Sequence, residues 1–295
     1  MKQNDIYYRY LEELNNENIE LLNSKEYRLG KKILNIKNHN FIEMLKEYIL
    51  RKKVEKYNGK NIKVNNNTHK ISSDKKIVVY TCITGGYDDV QEPFYSNPNV
   101  DYIIYTDLKI KTEKWKYKVI PENIKLINDN IIINRYIKFK MHELFSNYDY
   151  AIYIDGNVKI IGDVTKLIEK INNKSGLALH SHNCRNCAYN EAQVCVLKKK
   201  GVKNKIQDLI RKMKLEKFPT KYGLFEANVI AVDLKNENAK KIMNDWYNIF
   251  KESECYRDQI ILPYVLWKNN LKFEDVGNLG ENMHLNPILR KIKHK

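Results

Sequence analysis

The stretch Tyr148 to Ile161, YDYAIYIDGNVKII, decides how the rest of the chain is read. Ala151, Ile152, Tyr153 and Ile154 form an apolar run that stops at Asp155, Gly156 and Asn157. Val158, Ile160 and Ile161 then resume it around Lys159. This pattern predicts a buried strand, a sharp polar break and a second short strand. Two side-chain oxygens two residues apart, with glycine between them, can face one point just beyond a strand end. A divalent Mg²⁺ or Mn²⁺ carrying a diphosphate needs hard oxygen ligands of this kind and takes only one or two from the protein. Asp-Gly and Gly-Asn are also ordinary turn dipeptides, so the spacing alone leaves a plain strand-to-strand turn open.

At 295 residues the chain can bury a full core, and one catalytic domain plus an appendage is the natural partition. Hydrophobic residues at 43% and charged residues at 30% describe a globular protein. No apolar run approaches the roughly 18 residues of a membrane span, and the N-terminus lacks an apolar leader core, so a cytoplasmic location is expected. A net charge of +16 favours an anionic partner: nucleic acid, an acidic membrane leaflet or a phosphorylated small molecule. The lysines are scattered and no nucleic-acid-binding signature emerges, so nucleic acid is not expected. Five cysteines, an odd count, are read as reduced thiols.

Residues 1–73 contain no proline and repeat apolar residues at helical spacing, as in Tyr7, Leu11 and Leu14 and again in Phe41, Met44, Leu45 and Tyr48. They are read as a helical N-terminal extension, closing in a polar, turn-rich linker from Lys56 to Lys76. The pattern changes at Lys75, giving a partition into 1–73 and a catalytic domain of 74–295.

Ile77 to Ile83 is continuously apolar and β-branched, which predicts a central strand covered on both faces. It ends at Thr84, Gly85 and Gly86, where glycine lets backbone approach a ligand and frees amides to cradle phosphate or base. Val100 to Asp107 repeats the arrangement, and an acidic residue such as Asp107 at a strand's end often holds a ribose or base. INRYIKFKMHELF places Arg135, Lys138 and His142 on one helical face and leads into the Asp155 strand. Open α/β sheets bind ligands at one edge, so the three polar breaks should share one cleft.

The series YTCITGGYDDV, YIIYTD, NRYIKFKMHELFSNYDYAIYIDGNVKI, LHSHNCRNCAYNEAQVC, FEANVIAVD and CYRDQIILPYVLWK resembles, in order, the glycosyltransferase-like domain of the TOD1/MUCI70 family. The resemblance runs over about residues 75–285. It implies an α/β, GT-A-like (Rossmann-like) fold, a mostly parallel sheet flanked by helices, binding a nucleotide sugar at its strand ends. The segment Ser24 to Asn35 resembles helical extensions of bacterial surface-polysaccharide glycosyltransferases. It suggests a docking or self-association arm, with Lys52, Lys53 and Lys56 suited to an anionic leaflet. A helical pair packed on the catalytic domain is the alternative.

Carried over residue by residue, the resemblance makes Thr84, Gly85 and Gly86 the nucleotide loop and Asp107 the base or ribose contact. Asp155, Gly156 and Asn157 fall on a motif like the DxD of metal-dependent GT-A enzymes. Arg135 and Lys138 match its R-x-x-K, and two fixed cations there would offset the diphosphate charge. Arg185 and Glu191 would face the sugar, with Glu191 either on the acceptor side or on a sugar hydroxyl, and Glu226 and Asn228 would lie beside the donor sugar. The resemblance departs near Ala231, where the family often has a basic residue. Asp258, in the matching RDQ, would deprotonate an acceptor hydroxyl or hold a sugar hydroxyl; a helix-terminal aspartate stabilised by the dipole is the plain alternative. His284 would complete a metal shell with Asp155 and Asn157. His180, His182, Cys184 and Cys187 offer four zinc donors, but their spacing crowds the ligands.

The expectation is therefore a glycosyltransferase moving a sugar from a nucleotide diphosphate, UDP being favoured, to a saccharide or lipid-linked acceptor, with a divalent cofactor. Surface polysaccharide or glycoconjugate synthesis is the expected setting, with peripheral contact at the inner membrane face and self-association through the N-terminal helices. A catalytically silent nucleotide-sugar binder and a basic scaffold for membrane or nucleic acid are the rival classes.

Overall fold

The computed structural model describes residues 24–29, 74–182, 184–280 and 283–294, leaving aside the Leu285 side chain. The chain divides into two compact units, Met1–Asn61 and Ile62–Lys295. In the first, residues 25–29 form a helical turn opened by Ser24, whose Oγ accepts from the Tyr27 amide at 3.2 Å. The helices expected around Tyr7 and Phe41, most of the linker, and Lys52, Lys53 and Lys56 lie outside the described residues.

The second unit is built on a seven-stranded sheet. Its strands are β1 (Ile77–Ile83), β2 (Val100–Thr106), β3 (Lys116–Val119), β4 (Tyr150–Ile154), β6 (Leu177–Ser181), β7 (Phe225–Asp233) and β8 (Gly277–Asn278). The spatial order is β3-β2-β1-β4-β7-β6-β8. Only β7 runs against its neighbours, and the other pairings are parallel. Every residue of β1 and of β4 is buried, which is why their sequences read as unbroken apolar runs.

Alternation along β1 splits its side chains between two core layers. Val78, Tyr80 and Cys82 pack on one face with the helices α1 (Asn130–Phe139), α4 (Glu237–Ser253) and α5 (Asp258–Lys268). Ile77, Val79 and Ile83 pack on the other with the short helix Val164–Lys170 and the C-terminal segment. Trp246 and Tyr247 are buried on α4. Two further helices, α2 (Ala188–Leu197) and α3 (Lys203–Leu215), lie between β6 and β7 in the chain.

Asp129 caps α1, its carboxylate accepting from the Ile131 and Ile132 amides. The helix ends at Lys140, whose ψ of 33° leaves the helical region, and a separate turn, Met141–Leu144, follows. Arg135 and Lys138 therefore share α1, whereas His142 does not. A second sheet pairs β5 (Val158–Ile160) with β9 (Leu289–Lys291), bringing the end of the chain back to the Asp155 turn.

Candidate functional site

Parallel pairing of β1 with β2 and β4 puts the ends of all three strands on one edge. Antiparallel β7 brings its beginning to the same edge, where the Asp155 amide donates to the Asn228 carbonyl at 2.8 Å. Thr84, Gly85, Gly86, Asp107, Asp155 and Asn228 are thus gathered along one margin of the sheet. Gly156 is required by space rather than by its backbone angle. A Cβ there would stand 2.7 Å from Ile83 Cγ1, closer than atoms can approach, so the turn presses directly on the end of β1.

Beneath this turn lies a buried charge cluster. Lys138 Nζ donates to Asp258 Oδ2 at 2.9 Å and lies 3.5 Å from Asp155 Oδ1. Its side chain is only 1% exposed, and its ammonium sits 4.9 Å from the centre of the Tyr153 ring. Arg135 Nε lies 3.1 Å from the same Asp258 oxygen, an ion pair without the alignment of a hydrogen bond. Burial works against the charge on Asp258, but Lys138, Arg135 and Arg257 outweigh it and hold the carboxyl well below the usual range. Trp246 Nε1 donates to the Asp258 carbonyl at 2.9 Å, fixing the start of α5. Asp155, with 31% of its side chain exposed, and Arg135, with 23%, are the members open to solvent.

At the end of β1, both oxygens of Asp107 accept from the Gly85 amide, at 2.9 and 3.1 Å. Gly85 and Gly86 hold φ of 62° and 64°, the left-handed region that favours glycine. Thr84 Oγ1 donates to the Asn130 carbonyl at 3.0 Å, tying the loop to the first turn of α1.

On the other side, Arg185 Nε donates to Glu191 Oε2 at 2.5 Å, and both side chains are largely buried. Burial opposes the charge on Glu191, while Arg185 and His182 outweigh it and lower its pKa. Glu226 behaves oppositely: burial raises its pKa, though Oε2 accepts from the Met283 amide at 3.0 Å. Where β6 meets β7 the register slips between Leu179 and His180, so His180 pairs with Glu226 while Leu179 pairs with Ile230. The slip leaves Asn228 in a bulge, with its buried Oδ1 unpartnered among the described residues. His180 Nε2 lies 3.0 Å from Asn286 Nδ2, and burial lowers the pKa of the imidazole to about 4.

A family model described as the TOD1/MUCI70 glycosyltransferase-like domain matches residues 37–294. The chain belongs to that family. Its mostly parallel sheet flanked by helices is the GT-A-like architecture expected from the sequence. None of the curated proteins compared with the chain matches it. Among solved structures, the chain is similar to the apo form of the bifunctional glycosyltransferase WbbM at 13% identity and a TM-score of 0.41, over 70% of this chain and 40% of that one. It is similar to the galactosyltransferase LgtC with donor and acceptor sugar analogues at 12% identity and a TM-score of 0.37, over 64% and 70% of the two chains. Mouse xyloside xylosyltransferase 1 gives 7% identity and a TM-score of 0.39, over 66% and 83%. These likenesses are loose, and the chain spans less than half of the WbbM structure; the family match, not any one neighbour, fixes the class.

Within this family frame, several of the expected site residues are already engaged by other groups of the protein. Lys138 is enclosed by Asp258, Tyr153 and Phe139, so its ammonium is not presented to a ligand directly. Arg185 and Glu191 face each other. The Gly85 amide, expected to be free for phosphate or base, is taken by Asp107. Asp258 is the first residue of α5, and its Oδ1 accepts from the adjacent Gln259 amide at 3.0 Å.

The metal reading meets a thin donor set. Asn157 is buried, with its Nδ2 against the Ile292 carbonyl at 3.3 Å and His294 Nε2 at 3.0 Å. His284 is exposed in the short helix Met283–Leu285. Among the described residues no group of three or more His, Cys, Asp or Glu side chains is arranged to hold a metal ion, the His180 to Cys187 segment included. All five cysteines are free.

His294 is the residue that sequence reasoning missed. Its Nδ1 lies 2.8 Å from Asp88 Oδ1 while its ring packs 5.2 Å from that of Tyr87. It therefore closes the C-terminal strand onto both the glycine loop and the Asp155 turn. The only sequence signal is a lone histidine near the chain's end, which periodicity cannot place.

Proposed function

We propose that this protein is a glycosyltransferase that binds a nucleotide sugar at the edge formed by β1, β2, β4 and β7 and transfers its sugar to a saccharide or lipid-linked acceptor. The observation that carries this reading is the Arg135–Lys138–Asp258–Asp155 cluster, set under the strand ends of a family member. The acceptor oxygen attacks the anomeric carbon while the nucleoside diphosphate leaves, so negative charge grows on the leaving phosphate. Arg135, anchored on Asp258 yet partly open, supplies a fixed cation for it. Lys138 adds its charge from behind, and Asp258 keeps both cations in place.

A group that removes a proton from the acceptor works best with a pKa near the operating pH. Asp258 and Glu191 are both held below the usual carboxylate range by ion pairs, so neither suits that task. Glu226 is the carboxylate at this edge whose environment raises its pKa, and we assign proton handling to it. A divalent ion, when bound, would supply further positive charge to the diphosphate. Asp155 is a partly open carboxylate available to it, while Asn157 is already engaged and, among the described residues, no group of three or more His, Cys, Asp or Glu side chains gathers there.

UDP is the favoured nucleotide of this reading, and glycoconjugate or surface polysaccharide synthesis its setting. Peripheral membrane contact and self-association through the N-terminal segment belong to it as well. The locked state of Asp258 and Glu191 also favours a second reading, a relative that binds a nucleotide sugar without turning it over. A thermal-shift screen of the full chain against UDP-, GDP- and CDP-sugars tests both readings. A ligand at 100 times its Kd should stabilise the fold by about 2.7 kcal/mol. Binding with release of nucleoside diphosphate supports the transferase; binding without turnover in the presence of saccharide acceptors supports the silent relative; no binding overturns both.

A further inference from the structure

We propose that the surface built by the turn after α2 and the outward face of α3 docks this protein on an anionic lipid leaflet. This assigns a surface to the membrane contact of the reading above, but it does not depend on the transfer chemistry. Residues 198–221 carry ten Lys and Arg against two acidic residues, half of the chain's net +16 within one segment. The helix α3 turns Ile206, Leu209 and Met213 into the core. That leaves Lys203, Arg211, Lys212, Lys214 and Leu215 exposed.

Salt bridges do not neutralise this patch. Lys205 pairs with Glu254 and Arg211 with Asp208, while Lys199, Lys203, Lys212, Lys214 and Lys217 have no ion pair among the described residues. At the turn, Lys200 feels the surplus: partial burial, Arg257 and Lys198 together lower its pKa.

The apolar members decide between polyanions. Leu215 is 83% exposed and Leu197 is 50% exposed, each beside lysines. Exposed leucine gains nothing from a phosphate backbone, but it can enter the headgroup and acyl boundary while neighbouring lysines keep their charges at the surface. No aromatic residue is interleaved from Leu197 to Lys217, so the face lacks the stacking platforms that single-stranded nucleic acid uses. An acidic leaflet attracts each nearby lysine or arginine with an energy worth about fivefold in partitioning.

The test is co-sedimentation of the full chain with vesicles of phosphatidylcholine, alone or mixed with phosphatidylglycerol, alongside titration of single-stranded DNA. Binding is expected to the mixed vesicles and to fall steeply with salt. The triple variant Lys212→Gln, Lys214→Gln, Lys217→Gln should weaken it about 100-fold. Leu215→Ser should weaken it about tenfold while leaving the salt slope unchanged. Because these positions are exposed, the melting temperature and any nucleotide-induced shift should stay at wild-type values, which separates this outcome from failure of the donor site. Equal binding to both vesicle types, no loss in the triple variant, or tight DNA binding without vesicle binding would each overturn the proposal.

Discussion

Lys138 Nζ and Asp258 Oδ2 meet at 2.9 Å in the interior, 120 residues apart in sequence, with Lys138 only 1% and Asp258 8% exposed. Removing one member of such a pair strands the other charge away from water. Lys138→Met and Asp258→Ala should each destabilise the fold by about 3–5 kcal/mol. Urea denaturation measures this directly, and the double variant should cost less than the sum of the two.

The same pair fixes the sign of a pH dependence. The folded-state pKa of Asp258 is depressed, so its stabilisation is complete above the unfolded value of about 3.9 and fades as pH falls toward the folded one. The stability gap between the wild type and Asp258→Asn should be constant from neutral pH down to about pH 5 and should narrow below about pH 4.

His180 and His182 act at milder acidity. Burial is the first cause in each, reinforced at His182 by Arg185, and both imidazoles are pushed down to about 4. Their unfolded pKa is near 6.5, so stability should be lost as pH falls from about 6.5 to 4, by about 3 kcal/mol per imidazole. His180→Gln should remove one such increment from the curve of stability against pH.

Gly156→Ala would drive a methyl group against Ile83 Cγ1. Overpacking of this kind costs about 1–3 kcal/mol and should displace the Asp155 turn. Adding Ile83→Ala should recover part of that cost beyond additivity, a coupling that a double-mutant cycle reads out.

Glu226→Gln should keep the fold, since the amide oxygen can still accept from Met283, while lowering turnover by about 10²–10⁴. Asp258→Asn should instead change nucleotide affinity together with stability. Comparing the two variants separates a proton-handling group from a clamp.

Much of the framework was legible in the sequence because buried parallel strands require continuous apolar, β-branched runs. Ile77 to Ile83 matches β1 residue for residue, and the apolar stop at Asp155 marks the end of β4. The start of α5 was legible too, since Tyr256-Arg257-Asp258-Gln259 precedes a dense apolar helix. What could not be read was pairing at a distance. Nothing local shows that Lys138 turns inward to Asp258, that Asp107 closes on Gly85, or that His294 returns to Asn157. The break of α1 at Lys140 and the register slip at His180 were hidden as well, because both come from packing between elements rather than from propensity.

In the proposed transferase, Arg135 and Asp155 face a nucleoside diphosphate at this sheet edge. Isothermal titration of UDP and a UDP-sugar into the full chain, with Mn²⁺ and with EDTA, tests this placement most directly when repeated on Arg135→Gln and Asp155→Ala. Measurable binding in EDTA is expected, weakened about tenfold or more in Arg135→Gln, with any tightening by Mn²⁺ abolished in Asp155→Ala. Binding of UDP left unchanged by both substitutions, or no binding of any nucleoside diphosphate in either condition, would contradict it.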